Sequence, residues 1–266
     1  MINEKKIFLA VLLVLSSCAR GQQGRVEPAP AQVKTTPSVA ASEREKPINV
    51  LLYFGLYTQW YRIDKALAPV PGHVLRTVNA KTDGAEFIPT AKEISAFDVV
   101  VMSDVNHGSI KDSGLAVIDG FVKQGGGLLV LGGPFTYGEG KYDGSIFPGM
   151  LPIEKPNRFD LKWEKAGLPF FKAENHIILK GVDLSATPCV YWIHEAHPKP
   201  NGVVVLMAGS RPLLVLETRG KGRTATFLGT PMGMAAEGQL PFWEWRDWDK
   251  LIRNTLVWLA GDEPGK

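Results

Sequence analysis

Short apolar runs, each closed by small or polar residues, set narrow limits on what this chain can become. Ile48-Asn49-Val50-Leu51-Leu52-Tyr53-Phe54 stops at Gly55, and Phe97-Asp98-Val99-Val100-Val101-Met102 runs straight into Ser103-Asp104-Val105-Asn106-His107-Gly108. Runs of this length without polar alternation are strands covered on both faces by other elements. His73 to Val78 reads as a second strand after the Pro69-Val70-Pro71-Gly72 break, and Leu128 to Leu131 as a fourth. Between them, Tyr57 to Leu67 reads as a helix. Asp112 or Ser113 can cap another, with Leu115, Ile118, Phe121 and Val122 at helical spacing and Gly125-Gly126-Gly127 at its end. This alternation predicts an α/β fold, a mostly parallel sheet flanked by helices through right-handed crossovers. A ligand site is then expected beyond the carboxyl ends of the strands, near Phe54, Ser103 and Gly132.

Farther along, Gly202 to Met207, Pro212 to Thr218 and Arg223 to Leu228 are strand-like, the last two joined through Arg219-Gly220-Lys221-Gly222. They predict an antiparallel extension at one edge. Trp248, Leu251, Ile252, Leu256, Trp258 and Leu259 form an apolar stripe on a final helix that stops at Gly261. No proline-rich linker interrupts residues 48–262, which reads as one domain.

The amino terminus has a different character. Lys5 and Lys6 precede an apolar stretch, Ile7 to Leu15, too short to span a bilayer but suited to the centre of a secretory signal peptide. Leu15-Ser16-Ser17-Cys18 follows, and it resembles the lipobox of bacterial lipoproteins. That resemblance implies removal of residues 1–17, diacylation of Cys18 and a membrane-anchored protein of the bacterial cell envelope, facing the periplasm or the exterior. The alternative is an ordinary cleavable signal that ends near a cysteine. Residues 18–47 are rich in Pro, Ala, Gln, Ser and Thr, with few large apolar side chains, and read as a disordered tether.

Thirty Lys and Arg stand against 27 Asp and Glu, spread evenly, so no basic stripe marks a nucleic-acid partner. Two cysteines cannot make a disulfide framework or a four-thiolate zinc site. Cys189, in the apolar Thr187 to Trp192, reads as buried core rather than a nucleophile. His194-Glu195-Ala196-His197 spaces its histidines three apart just before Pro198, unlike the helical zinc pattern, and reads as a surface loop. Gly133 to Lys141 lacks the Lys-Ser/Thr step of a phosphate loop. No metal or cofactor is expected. Aromatic residues mostly build cores, and that is the reading for Trp60, Tyr61, Trp163, Tyr191, Trp192 and Trp248. Trp243-Glu244-Trp245, beside Gly238 and Pro241, is where one ring could be exposed.

Three stretches resemble the class I glutamine amidotransferase-like superfamily, and within it the glutamine amidotransferase-like domains of bacterial envelope proteins. They are Phe97 to Asp104; Gly125 to Tyr142 with Gly144 and Leu151-Pro152-Ile153; and Pro212 to Phe227 with Trp245 to Ala260. The last also resembles trehalose-utilisation-protein-like relatives. The segment from Pro156 to Pro200 matches poorly. The resemblance implies a flavodoxin-like fold and, in working enzymes, a nucleophilic cysteine on the turn after the fourth strand, helped by a histidine and an acidic residue from the carboxyl-terminal part. Here that turn is Gly132-Gly133-Pro134, which offers no side-chain nucleophile. Glutaminase chemistry is therefore not expected. The expectation is a non-catalytic module binding a small ligand, a glycan or an envelope protein at the strand-end crevice, through Asp104, Asn106, His107, Gly133, Tyr137 and Glu139. The alternative is a carbohydrate-active hydrolase or isomerase using Asp104, Glu139, His107 or His194 as acid and base.

Overall fold

The computed structural model describes residues 47–81 and 84–264. The leader, Cys18 and the tether up to residue 46 lie outside the described residues. Among those described, the strands are β1 (Asn49–Phe54), β2 (Val74–Lys81), β3 (Gly84–Ala85), β4 (Val99–Ser103), β5 (Gly127–Leu131), β6 (Leu161–Lys172), β7 (Cys189–His194), β8 (Val203–Ala208), β9 (Arg211–Arg219), β10 (Gly222–Phe227) and β11 (Gly229–Thr230). They form one sheet in the order β11-β7-β6-β8-β9-β10-β5-β4-β1-β2-β3. The helices are α1 (Ile63–Leu67), α2 (Ala91–Ile94), α3 (His107–Lys123), α4 (Phe147–Met150) and α5 (Trp248–Leu259).

β2, β1, β4, β5 and β10 run parallel, with Leu52 beside Val101 and Val101 beside Leu129. β4 and β5 are buried along their whole length, which is why their sequences show no alternation. α3 and α5 both pack on β5 and β10, and α5 turns Trp248, Leu251, Ile252, Leu256 and Leu259 into the core. All parallel strands end at one edge, so the turns after Phe54, Ser103 and Leu131 lie side by side.

Three local expectations change. Tyr57 to Leu67 is not one helix: a 3-10 turn (Thr58–Tyr61) and α1 are separated by Arg62 at φ 51°, a left-handed backbone that sends Tyr61 inward. α3 begins at His107, but Lys111 (φ 58°, ψ 170°) breaks it, and the long helix proper follows from Asp112. The antiparallel extension is also larger than the sequence predicts, because β6, β7 and β11 continue it beyond β8. β6 carries Lys162, Glu164 and Lys165, shifts register between Trp163 and Leu168, and turns at Gly167 (φ 67°). It therefore has neither an apolar run nor clean alternation.

Trp243 and Trp245 are both buried, contrary to the expectation of an exposed ring there; Trp60 and Trp163 are the exposed ones. Trp248 is fully buried against Phe242, Phe227 and Tyr61, ring centroids 4.7, 5.0 and 6.1 Å away, and its indole N–H donates to the Tyr61 carbonyl at 3.0 Å. Trp248→Ala should cost about 3–5 kcal/mol in urea unfolding. Trp60→Ala, at a side chain 45% exposed, should stay within about 0.5 kcal/mol.

Candidate functional site

The three adjacent turns are held by one carboxylate. Asp104 follows β4 with φ 54° and is only 4% exposed. Its Oδ2 accepts the Leu56 N–H from the turn after β1 at 2.8 Å, and its Oδ1 accepts the Phe135 N–H from the turn after β5 at 2.8 Å. Burial pushes this carboxyl up from its ordinary value, against the opposing pull of the two N–H bonds.

This carboxylate lies where side chains would otherwise stand. A Cβ on Gly133 would collide with Asp104 Oδ1 and come within 2.5 Å of the Asp104 Cβ. A Cβ on Gly55 would meet the Asp104 carbonyl oxygen, and one on Gly132 would sit 2.5 Å from the Gly229 carbonyl oxygen. The turn after β5 thus lacks a thiol in sequence and lacks the room for one in space.

On the other side of that turn stands His194, the last residue of β7. Its Nδ1 is 2.9 Å from Asp160 Oδ2, while Nε2 faces the Gly133 N–H at 3.4 Å and the Thr230 hydroxyl at 3.3 Å. With a backbone N–H aimed at Nε2, that nitrogen is the acceptor and Nδ1 carries the proton donated to Asp160. Both residues are 1% exposed. The Tyr137 ring meets the imidazole edge-on at 4.8 Å. The Tyr61 hydroxyl lies 2.8 Å from the Gly132 carbonyl and 2.7 Å from that of Gly229.

His194 is therefore not on a surface loop. β7 extends through it, with its N–H donating to the Leu228 carbonyl at 2.9 Å; only Glu195 and His197 of that motif are exposed. A carboxylate–imidazole pair is an acid–base couple in principle. Here both ends are closed: Nε2 is occupied by the turn, Asp160 is buried, and the one hydroxyl beside Nε2, that of Thr230, is fully buried with it.

The expected ligand residues divide into groups. Asp104, Gly133 and Tyr137 come together, all buried, with the Tyr137 hydroxyl 3.1 Å from the Val130 and Phe227 carbonyls. Asn106 caps α3 by accepting the Ser109 N–H at 2.9 Å, and His107 Nε2 lies 3.0 Å from Asp112. Glu139 pairs with Arg158 at 3.4 Å, away from the turn. Cys189 is buried, and burial pushes its thiol up. Among the described residues no cluster of His, Cys, Asp or Glu could hold a metal. Open space begins outside the 137–142 loop, in a pocket of about 230 Å³ bounded by Tyr137, Tyr142, Phe147, Leu151, Lys155 and Arg158.

The sequence reading of Tyr61 as core holds but gives no sign of its two carbonyl partners, Asp160 and Thr230 were missed, and His194 was misplaced. The signal for His194 was present: it ends an apolar strand, and an inward histidine from the carboxyl-terminal half is what the family resemblance implies.

A family model described as "Putative glutamine amidotransferase" matches residues 72–261. The chain belongs to this glutamine amidotransferase-like family. Two cytoplasmic proteins from Salmonella typhimurium share the fold, at 22% and 18% identity, each with TM-score 0.68 and 80% of this chain covered; 98% and 99% of their own chains are covered. A ThuA-like protein from Parabacteroides merdae matches at 15% identity and TM-score 0.55, over 83% of this chain and 93% of its own. No curated protein matches. Within this amidotransferase-like domain, the place after the fourth strand of the parallel set is taken by the Asp104–Gly133 contact.

That contact can be measured. Gly133→Ala should cost about 1–3 kcal/mol by overpacking against Asp104. In an Asp104→Gly background, where the obstructing side chain is gone, the same change should cost less, giving a coupling of at least about 0.5 kcal/mol in a double-mutant cycle followed by urea unfolding. Simple additivity would show that the two residues do not compete for the same space.

Proposed function

We propose that this protein is an envelope lipoprotein whose amidotransferase-like domain, built on a flavodoxin-like core, binds a ligand or partner rather than turning it over. The observation that carries this reading is the filled turn after β5: Gly132 and Gly133 have no side-chain functionality, and backbone and carboxylate atoms take up the space beside them. Covalent glutaminase chemistry needs a nucleophile beside a base. The parallel order β2-β1-β4-β5-β10 supports a flavodoxin-like core. Leu15-Ser16-Ser17-Cys18 supports anchoring through lipid at Cys18.

The Asp160–His194 couple is the observation that favours a second reading, an acid–base enzyme acting on a carbohydrate. Its burial counts against that reading, because a general base must reach the proton it abstracts. Asp104 is committed to two backbone N–H groups, and Glu139 to Arg158. The strand-end crevice is thus packed, and a ligand seat shifts to the open pocket beside Tyr137 and Gly138.

Two readouts on the purified full chain test this proposal. Incubation with glutamine should release no ammonia above the protein-free rate, and turnover that follows the protein through purification would overturn the non-catalytic reading. The intact mass of the chain from its native membrane should correspond to a start at Cys18 plus acyl chains; an unmodified Cys18 would overturn the lipoprotein reading.

A further inference from the structure

At the end of the sheet away from the Asp104 turns lies a pocket of about 480 Å³ bounded by His176, Asn201, Thr218, Arg223 and Trp258. Arg223 sits beside Gly127 at the amino ends of β10 and β5, whereas the filled turn follows Leu131 at the carboxyl end of β5. The two places share no residue.

Arg223 is half-buried, and among the described residues its guanidinium has no carboxylate partner. Its Nη1 donates to the Trp258 and Asp262 carbonyls at the end of α5, and its Cζ lies 5.1 Å from the Trp258 ring centroid. These contacts fix the group in place without setting a full negative charge against it, and they leave the edge formed by Nε and Nη2 unspent. His176 packs edge-on against the same indole, ring centroids 5.3 Å apart. Its Nδ1 accepts the Ile178 N–H at 3.3 Å, so Nε2 carries the proton and is a donor. Burial first, and then the charge of Arg223, hold this imidazole below its ordinary value, so it donates while neutral.

Thr218 stands directly across from Arg223 and shares its face of the sheet. Glu217 also borders the pocket, but it stands across from Thr224, so its side chain turns to the opposite face, where its charge acts on Lys199. What faces the pocket is therefore one uncompensated cation with neutral donors around it. A half-buried guanidinium without a counter-ion gains from an anion, and its planar edge fits two oxygens at once. A carboxylate would be used up by that edge, whereas a tetrahedral oxyanion has further oxygens for the imidazole and the hydroxyl.

We infer that this pocket binds a phosphate group, with the Nε–Nη2 edge of Arg223 on two oxygens, His176 Nε2–H on a third and the Thr218 hydroxyl beside them. The volume exceeds that of phosphate itself, so the group arrives either free or as a phosphate monoester whose organic body lies along Trp258. This site goes beyond the function proposed above and does not depend on lipid at Cys18 or on the turn after β5.

Isothermal titration of the full chain with inorganic phosphate, glycerol 3-phosphate and glycerol tests it. Phosphate in at least one of the two forms should bind with a Kd below about 10 mM, and glycerol should give no heat of binding. Tighter binding of the ester identifies an organic phosphate as the occupant; equal affinity identifies free phosphate. His176→Asn keeps a side-chain acceptor for the Ile178 N–H and removes the Nε2 donor, and it should weaken binding about tenfold. Thr218→Val, at an exposed position, should weaken it about threefold. Arg223→Gln should abolish it, and because that change also unties the end of α5, the other two variants decide the matter if it does not fold. Absence of binding by the wild type up to about 10 mM, or unchanged affinity in folded His176→Asn, would overturn the inference.

Discussion

A buried carboxylate with two backbone N–H partners organises the functional edge of this sheet. Asp104 takes one hydrogen bond from Leu56 and one from Phe135, so the turns after β1 and β5 are fixed to the turn after β4. A buried carboxyl without such partners would be costly, and two buried N–H groups without an acceptor would be costly too. The glycines at 55 and 133 follow from this arrangement, since a Cβ at either would strike Asp104. Sequence, backbone shape and chemistry meet in one contact: the aspartate can sit there only because its neighbours are glycines, and while it does, no nucleophile can replace Gly133.

The second layer is the hydrogen-bonded set around Gly132 and Gly133. His194, oriented by Asp160, points its free nitrogen at the Gly133 N–H, and the Tyr61 hydroxyl bridges the Gly132 and Gly229 carbonyls. Polar groups that could support acid–base chemistry in an open site act here as partners for buried backbone. Left-handed residues cluster at the same strand-end edge, with Tyr57, Arg62, Asp104, Tyr137 and Lys141 all at positive φ. Such strain persists only where surrounding bonds over-determine the backbone.

Much of the parallel half was legible because burial on both faces writes an unmistakable pattern. Val99 to Met102 and Leu128 to Leu131 are uniformly apolar and bounded by polar or glycine residues, and both became central strands. The α3 helix was read from its apolar spacing, and its kink at Lys111 lies just before the start expected at Asp112 or Ser113. The antiparallel half was less legible. β6 alternates poorly, carries charges on its exposed face and bends at Gly167, so local composition resembles a loop while pairing with β7 and β8 makes it a strand. Asp160, just ahead of it, was missed for that reason. His194 was misplaced because the polar Glu195 and His197 beside it dominate a local reading, whereas β7 ends one residue before the chain turns outward.

The glycine-rich stretch after β5 is a family landmark legible in the sequence itself. Its missing thiol was readable from Gly132-Gly133-Pro134; the Asp104 carboxylate filling the space was not, because residues 104 and 133 meet only through the sheet. Amide hydrogen exchange at Leu56 and Phe135 tests the central contact most directly. Both amides should exchange slowly in the wild type and together become fast in Asp104→Ala, while amides inside β4 and β5 stay protected. Fast exchange at either position in the wild type, or no change on removing the carboxylate, would contradict a sheet edge held by Asp104.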